Sequence, residues 1–286
     1  MQRILNCRAS DFQQSVTGPL LRDAIAACEG RVIMAEVAAE APALFAEVSN
    51  AELLCAFGAD LLLLKGLNCQ QPVVTGGHSR FGENAITQMK KLTGRLVGVS
   101  LEVLDPSAPA GANVFSEANL AAVQHADFFC LTGYDKPGVT LDRMCDAIAA
   151  AGQQTDKMIL VAKFCTAGLA LPQEYAAFIA AGAHGVIFPA PAGCRGASEA
   201  KVAAIVDVIQ QQQGLAITTL SSSQEGADCA TVREIGLASK RCGSDMHNFG
   251  DAGVAGMASP EAVNALSMAI RGRRHTWVRM AASLSR

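Results

Sequence analysis

The sequence has little charge, few aromatic residues and no long apolar run. Of its 286 residues, 17% are charged and 5% are aromatic, and the net charge is −3. No apolar stretch approaches the roughly 20 residues that span a bilayer. So weak a charge gives no reason to expect nucleic acid or an anionic membrane as a partner.

The cysteines and histidines lack the spacings that mark redox or metal motifs. None of the ten cysteines forms a CxxC pair, and no HxH or HExxH occurs. Cysteines in apolar contexts, such as Cys55 and Cys130, are typical of small buried side chains in a reducing compartment. The first residues also lack the apolar core and cleavage site of a signal peptide. We therefore expect a cytoplasmic protein.

What the sequence does have is a regular alternation of apolar runs and amphipathic segments. Eight runs are apolar throughout, as parallel strands covered by helices are. They are 32–37, 60–65, 96–103, 127–132, 158–164, 185–189, 215–220 and 244–249. We predict an α/β fold, a single (β/α)8 TIM barrel over 1–286. A helical cap (1–30) with an extra N-terminal helix would close the N-terminal mouth, and a basic tail (271–286) would follow.

A short repeat supports the count of strands. A small residue, then Asp or His, then an apolar strand recurs before strands two, four, six and eight. The polar members of the repeat are Asp60, Asp127, His184 and Asp245. A motif at every second strand suits a closed barrel better than an open Rossmann sheet.

Catalytic groups of such barrels lie at the C-terminal ends of the strands. We predict catalytic roles for Glu36, Lys65, Glu102, Lys163 and His247. Both lysines interrupt apolar strands, and a desolvated lysine can act as a base or form a Schiff base. The alternative is that each lysine pairs with a carboxylate for structural reasons.

Four of the polar residues could also bind a divalent metal such as Mg²⁺ or Zn²⁺. Glu36, Glu102, His247 and Asp251 offer oxygen and nitrogen ligands, or an acid–base pair. The alternative is a set of ion pairs with the two lysines.

The loops after strands seven and eight (219–228 and 247–256) are rich in glycine and small hydroxyl residues. Backbone N–H groups in such loops can approach an anion closely, and this is the usual phosphate site of the fold. The alternative is ordinary turns with a helix cap at Ser223 or Asp228. We predict that substrate contacts Ser221, Ser222, Ser223, Gln224, Gly226, Gly250, Asp251, Gly253, Asn68 and Thr132.

The basic tail carries five arginines and the only tryptophan. It could reach over the active face, pair with acidic loops, pack against a second subunit or lie in solvent. Exposed arginine and tryptophan favour interfaces, so we expect a homo-oligomer.

The strings SQEGAD (223–228), GDAG (250–253) and RGRRHT (271–276) and the stretches 93–103 and 181–196 resemble a bacterial family of uncharacterised TIM barrels. Its members are loosely labelled phosphonomutase-like or haloacid-dehalogenase-like and are often encoded near sugar phosphotransferase systems. The resemblance implies a barrel fold. The chain has no DxD nucleophile motif and no EDK(x)2G(x)2S-type loop, so the resemblance implies little about chemistry.

Three functions follow from these residues. The first is an enzyme of lyase, aldolase or isomerase type that acts on a small phosphorylated or carboxylated metabolite, with its anion site in the last two loops. The second is a metal-dependent hydrolase. The third is a non-catalytic barrel that binds a sugar phosphate or a transport partner, or has a regulatory role, because the fold alone does not decide function.

Overall fold

The structure, a computed structural model, describes residues 3–76, 84–164, 168–222 and 224–284. Within these residues eight parallel strands pair in chain order, and the last pairs with the first, so the sheet closes. The predicted (β/α)8 barrel is confirmed. The strands are β1 (Val32–Ala38), β2 (Leu61–Lys65), β3 (Leu96–Glu102), β4 (Phe128–Gly133), β5 (Met158–Lys163), β6 (Gly185–Pro189), β7 (Leu215–Leu220) and β8 (Met246–Phe249).

Helices alternate with the strands, and most begin at a polar side chain that caps the first turn. Asp228, for example, accepts hydrogen bonds from the backbone N–H groups of Ala230 and Thr231, as the alternative interpretation of that loop expected. The helices are α1 (Gly18–Ala26), α2 (Asn50–Ala56), α3 (Ala85–Thr93), α4 (Glu117–Ala122), α5 (Leu141–Gln154), α6 (Pro172–Ala180), α7 (Glu199–Gln211), α8 (Cys229–Arg241) and α9 (Pro260–Met280). No helix of the described ranges is long and apolar enough to cross a membrane.

The alternation of side chains along each strand separates two apolar cores. Met34, Leu63 and Leu160 belong to the set that fills the barrel. Their neighbours along the strands, such as Ile33 and Val161, pack against the helices. Because side chains of a strand point to opposite faces in turn, this alternation determines which polar residues reach the mouth of the barrel.

The N-terminal segment closes the N-terminal end of the barrel. Ile4, Phe12, Leu21 and Ile25 are buried in the same cluster as the interior side chains of the strands. The other end of the barrel is thereby left as the open one.

The basic tail lies at the closed end too, rather than over the open mouth. Arg271 and Arg279 form ion pairs with Asp60, at 2.6 and 2.7 Å, and all three side chains are almost fully buried. Arg279 also donates to the carbonyl of Ile4. The tail therefore ties the C-terminal helix to the N-terminal segment and to the start of β2.

The sequence repeat has a structural role at this end. Each polar residue before an even-numbered strand accepts the backbone N–H of the second residue of the preceding strand. The pairs are Asp60 with Ile33 (2.8 Å), Asp127 with Val97 (2.8 Å), His184 with Ile159 (3.1 Å) and Asp245 with Ala216 (2.8 Å). The repeat therefore fixes the register of the barrel and carries no chemistry of the open mouth.

Candidate active site

Two adjoining cavities lie at the C-terminal ends of the strands. The larger has a volume of about 570 Å³ and includes Glu36, Ser221 and Glu225 in its lining. The smaller, of about 260 Å³, includes Glu102 and Thr132. Three side chains line both cavities, so one small molecule can contact all of them; these are Lys65, Tyr134 and Asp251.

Lys65 forms the centre of the polar array in the mouth. Its Nζ lies 3.6 Å from Oε2 of Glu36 and 3.3 Å from the hydroxyl of Tyr134. Asn248 positions the carboxylate from the other side, since its Nδ2 donates to Glu36 Oε1 at 2.8 Å and to Thr219 Oγ1 at 3.0 Å. An acid, a cation and a hydroxyl are therefore fixed side by side at the floor of the mouth.

The charges of this array influence one another. Burial raises the pKa of Glu36, although Lys65 and the Asn248 amide act in the opposite direction. Burial alone would lower the pKa of Lys65, but Glu36 and Tyr134 raise it, and the net result lies above the ordinary value. Lys65 is thus an ammonium ion at neutral pH, and the pKa of Glu36 lies above its ordinary value.

Tyr134 is positioned by its neighbours on several sides. Its ring stacks on Phe164 with centroids 5.8 Å apart. The ammonium groups of Lys65 and Lys136 lie 5.8 and 5.6 Å from its centroid, within the range of cation–π interactions. Lys136 is itself paired with Glu102 at 2.5 Å. The phenol hydroxyl therefore has a defined position over the floor of the mouth.

The loops after β7 and β8 present a carboxylate where an anion site was expected. Glu225 is buried, and its Oε1 accepts the backbone N–H of Ala252 at 3.1 Å. The N–H of Gly250 donates to the carbonyl of Leu220. Two backbone N–H groups of these loops are therefore already bonded within the protein, and the other oxygen of Glu225, Oε2, is an acceptor without a partner among the described residues.

The structure brings together many of the predicted residues. Those that line the two cavities are Glu36, Lys65, Glu102, Thr132, Ser221, Ser222, Gly250 and Asp251.

Four other predicted contacts serve the loops themselves. Asn68 caps its own turn by accepting from Gln70 and Gln71, and Gln224 donates to the carbonyl of Ala192. Gly253 allows the last two loops to approach each other, because a Cβ there would lie 2.7 Å from the carbonyl oxygen of Met257 and 3.3 Å from that of Glu225. Gly226 faces Gly253 at ordinary contact distance. Ser223 lies outside the described residues.

Lys163 needs reassignment because of its position along β5. Ala162 faces the barrel interior, so Lys163 faces outward with Val161. It lies toward α5, close enough to Cys145 that its charge acts on that thiol. Burial raises the pKa of Cys145, and the charge of Lys163 opposes the rise. The predicted catalytic lysine therefore points away from the mouth.

His247 also faces outward, beside the interior residues Met246 and Asn248. Its Nε2 lies 3.1 Å from the carbonyl of Gly30, at the closed end of the barrel, and its side chain is fully buried. In the described ranges no three His, Cys, Asp or Glu side chains are grouped closely enough to bind a metal ion. The predicted ligand set, which includes His247, thus does not fit a metal site.

His247 makes a testable contribution to stability. Burial lowers its pKa from 6.5 to about 4, so the folded protein keeps it neutral while the unfolded chain takes up a proton below pH 6.5. Stability from this group is therefore complete above pH 6.5, and roughly 3 kcal/mol is lost as the pH falls to about 4. We expect His247→Gln to flatten this dependence in urea unfolding measured from pH 7 to pH 4.5; parallel curves for both proteins would contradict it.

Several residues of the mouth were not predicted, and in the closed barrel the alternation of the strands accounts for two of them. Tyr134 follows the interior residue Thr132 by two positions, and Asn248 follows Met246 in the same way. Glu225 and Lys136 lie beyond strand ends, where no periodic pattern applies.

Comparisons with known proteins give the fold and a family. No curated protein matches the sequence. Oxaloacetate acetylhydrolase with its product oxalate has a TM-score of 0.51 and 15% identity, over 81% of this chain and 79% of that one. The Bacillus megaterium spore cortex-lytic enzyme SleL has a TM-score of 0.52 and 8% identity, over 85% of this chain and 75% of that one. The carboxyl transferase domain of Rhizobium etli pyruvate carboxylase has a TM-score of 0.51 and 14% identity, over 95% of this chain and 52% of that one.

At these identities the likeness shows a shared fold alone, and the resemblance to phosphonomutase-like proteins stays a prediction. A family model, in contrast, matches nearly the whole sequence, over residues 5–286. The chain belongs to the family described as a domain of unknown function (DUF7916).

Proposed function

We propose that the protein is an enzyme that moves a proton on a small carbonyl metabolite, as a lyase or an isomerase does. The observation that supports the proposal is the array of Glu36, Lys65 and Tyr134, in which Lys65 Nζ lies 3.6 Å from the carboxylate of Glu36 and 3.3 Å from the hydroxyl of Tyr134. The array lies where the two cavities meet and at the end of the barrel where catalytic groups of this fold are found.

Each member of the array has a role in such a reaction. Loss of a proton next to a carbonyl group places negative charge on the carbonyl oxygen, which positive charge and hydrogen-bond donors stabilise. The Lys65 ammonium supplies the charge. The Tyr134 hydroxyl accepts from Lys65 and so keeps its own hydrogen for the substrate oxygen.

Glu36 is the base in this proposal. Burial raises its pKa above the ordinary value, and a carboxylate with a higher pKa is a stronger base. It takes the proton from the carbon next to the carbonyl group, and the C–H electron pair forms the enolate. Return of the proton to a different carbon gives an isomerase. If the enolate instead expels a hydroxyl group from the adjacent carbon, which leaves as water with the proton that Glu36 took up, a carbon–carbon double bond forms and the enzyme is a lyase.

The mouth favours a carboxylated or uncharged carbonyl compound over a phosphorylated one. Lys65 and Lys136 are the cationic side chains among the described residues that line the larger cavity, whereas the buried carboxylate of Glu225 lies in one of the loops where a phosphate was expected. A carboxylate near Lys65 would be a smaller and less charged partner. The proposed substrate is therefore a small oxo acid or a hydroxylated carbonyl compound.

Exchange of carbon-bound hydrogen with solvent tests the proposal without knowledge of the products. We expect the protein to exchange the hydrogen next to the carbonyl of at least one small oxo acid or ketose in D2O, followed by proton NMR. Glu36→Gln should reduce this rate by about 10²–10⁴-fold, because the base is lost. In the pH–rate profile of the wild-type protein, the midpoint of the fall in exchange rate at acid pH should lie above 4.5, the ordinary pKa of Glu. Full exchange by Glu36→Gln would contradict the assigned base.

A further inference from the structure

The charges that line the mouth are unbalanced. Its two lysines are each paired with a carboxylate, Lys65 with Glu36 and Lys136 with Glu102. Glu225 and Asp251 also line the larger cavity, and neither forms an ion pair with a cationic side chain of the described residues. The β7–β8 side of the mouth therefore carries negative charge that the surrounding described side chains do not neutralise.

Two buried acceptor atoms on the same side also lack a donor. Oε2 of Glu225 and Oδ1 of Asn248 have no hydrogen-bond partner among the described residues, although both side chains are almost completely buried. The other atom of each group is used, Glu225 Oε1 by Ala252 and Asn248 Nδ2 by Glu36. Both side chains are thus fixed in place with one acceptor unused, and buried polar groups in native proteins normally have partners.

We propose that this side of the mouth binds an ammonium group of the substrate. Glu225 and Asp251 supply the opposite charge, and both line the larger cavity in which the ligand would lie. The inference rests on the proposed function, since it places the substrate carbonyl near Lys65 and Tyr134 and the ammonium near Glu225. The substrate class is then a small carbonyl compound that carries an amino group, such as an amino ketone or an amino sugar.

An ammonium group suits the β7–β8 side of the mouth better than other ligands do, because it supplies both the missing charge and hydrogen-bond donors. A hydroxyl group would satisfy an acceptor but would leave the charge of Glu225 and Asp251 unbalanced. A phosphate or carboxylate would lie against those like charges. A divalent metal does not fit, because no group of three suitable ligands is present among the described residues. An ammonium donates three hydrogen bonds and carries the missing charge.

A matched pair of probes tests the inference. Aminoacetone and hydroxyacetone have the same size and carbonyl group and differ in one polar group. We expect the protein to bind aminoacetone about tenfold tighter or more, measured by isothermal titration calorimetry at pH 7, because a charge-assisted hydrogen bond is stronger than a neutral one. Inorganic phosphate should not bind in competition with it.

Two variants test whether the preference for aminoacetone depends on Glu225 and Asp251. Glu225→Gln and Asp251→Asn keep the shape of each side chain and remove its charge, and each should reduce the preference for aminoacetone. Glu199→Gln is the control, since Glu199 pairs with Arg241 on the outer surface, and it should keep the full preference. If Glu225→Gln fails to fold by circular dichroism, the less buried Asp251→Asn provides the result.

The results separate this inference from the proposed function. Equal binding of the two probes, tighter binding of phosphate, or an unchanged preference in both charge-removing variants would overturn the ammonium site. Hydrogen exchange without an ammonium preference would reject the inference alone. A preference without exchange on any carbonyl compound would reject the proposed reaction and leave the ammonium site standing.

Discussion

Replacement of Asp60 by alanine is expected to destabilise the protein by about 3–5 kcal/mol, the usual cost of removing one partner from a buried charge group. Asp60 neutralises both Arg271 and Arg279, and the Asp60 and Arg271 side chains are fully buried. It also accepts the backbone N–H of Ile33 at 2.8 Å. The variant would leave two buried arginines without their carboxylate at the point where the N-terminal segment, β1, β2 and α9 meet.

Asp245→Ala is the matched control for this prediction. Asp245 has the same place in the repeat and accepts the N–H of Ala216 at the same distance of 2.8 Å, but its side-chain partner is Gln210 instead of arginine. Its loss should cost about 1–3 kcal/mol, as expected for an unsatisfied buried donor. Urea unfolding followed by circular dichroism gives both values. Equal losses in the two variants would show that the arginines contribute nothing beyond the hydrogen bond.

The fold could be predicted because its signals are local and repeated. Runs that are apolar on both faces mark parallel strands, and the residue before each even-numbered strand is fixed by a hydrogen bond to its neighbour. Such a bond requires a side-chain acceptor at that position, here Asp or His, which is why the repeat is visible in the sequence. The strands and their order therefore follow from short stretches of sequence.

The site could be predicted only in part, because those same strands do not show which face is inside. Lys65 and Lys163 both end apolar strands, yet Lys65 lines the mouth and Lys163 faces the helices. Leu64 and Ala162, which precede them, are both apolar and buried, and they face opposite layers. Only the closed barrel distinguishes the two lysines.

The predicted anion site depends on which backbone N–H groups of the last two loops are free, and the sequence does not show this. Glycine and serine in the last two loops make backbone N–H groups accessible, but composition does not show what already occupies them. Glu225 accepts one of these N–H groups from Ala252, across a separation of 27 residues. A contact of this kind depends on the packing of one loop on the other, which Gly253 permits.

Lys65→Met is the variant with the largest expected effect on the proposed reaction. Loss of the ammonium removes the charge that stabilises the developing oxyanion, so the exchange rate should fall by about 10²–10³-fold. The same change removes a group that lowers the pKa of Glu36. Because Glu36 must be ionised to act as a base, the acid limb of the remaining activity should move to higher pH than in the wild-type protein.

Lys163→Met is the comparison that makes this result specific. It removes a lysine from the end of another strand but on the outer face, and the exchange rate and its pH profile should not change. Borohydride should trap no adduct on either lysine with aminoacetone or an oxo acid, because Glu36 keeps Lys65 charged and a charged amine is no nucleophile. A trapped adduct on Lys65 would show that this lysine forms a Schiff base, and would contradict the role of stabilising an oxyanion. Loss of activity in Lys163→Met, with the fold intact, would contradict the site described at the mouth.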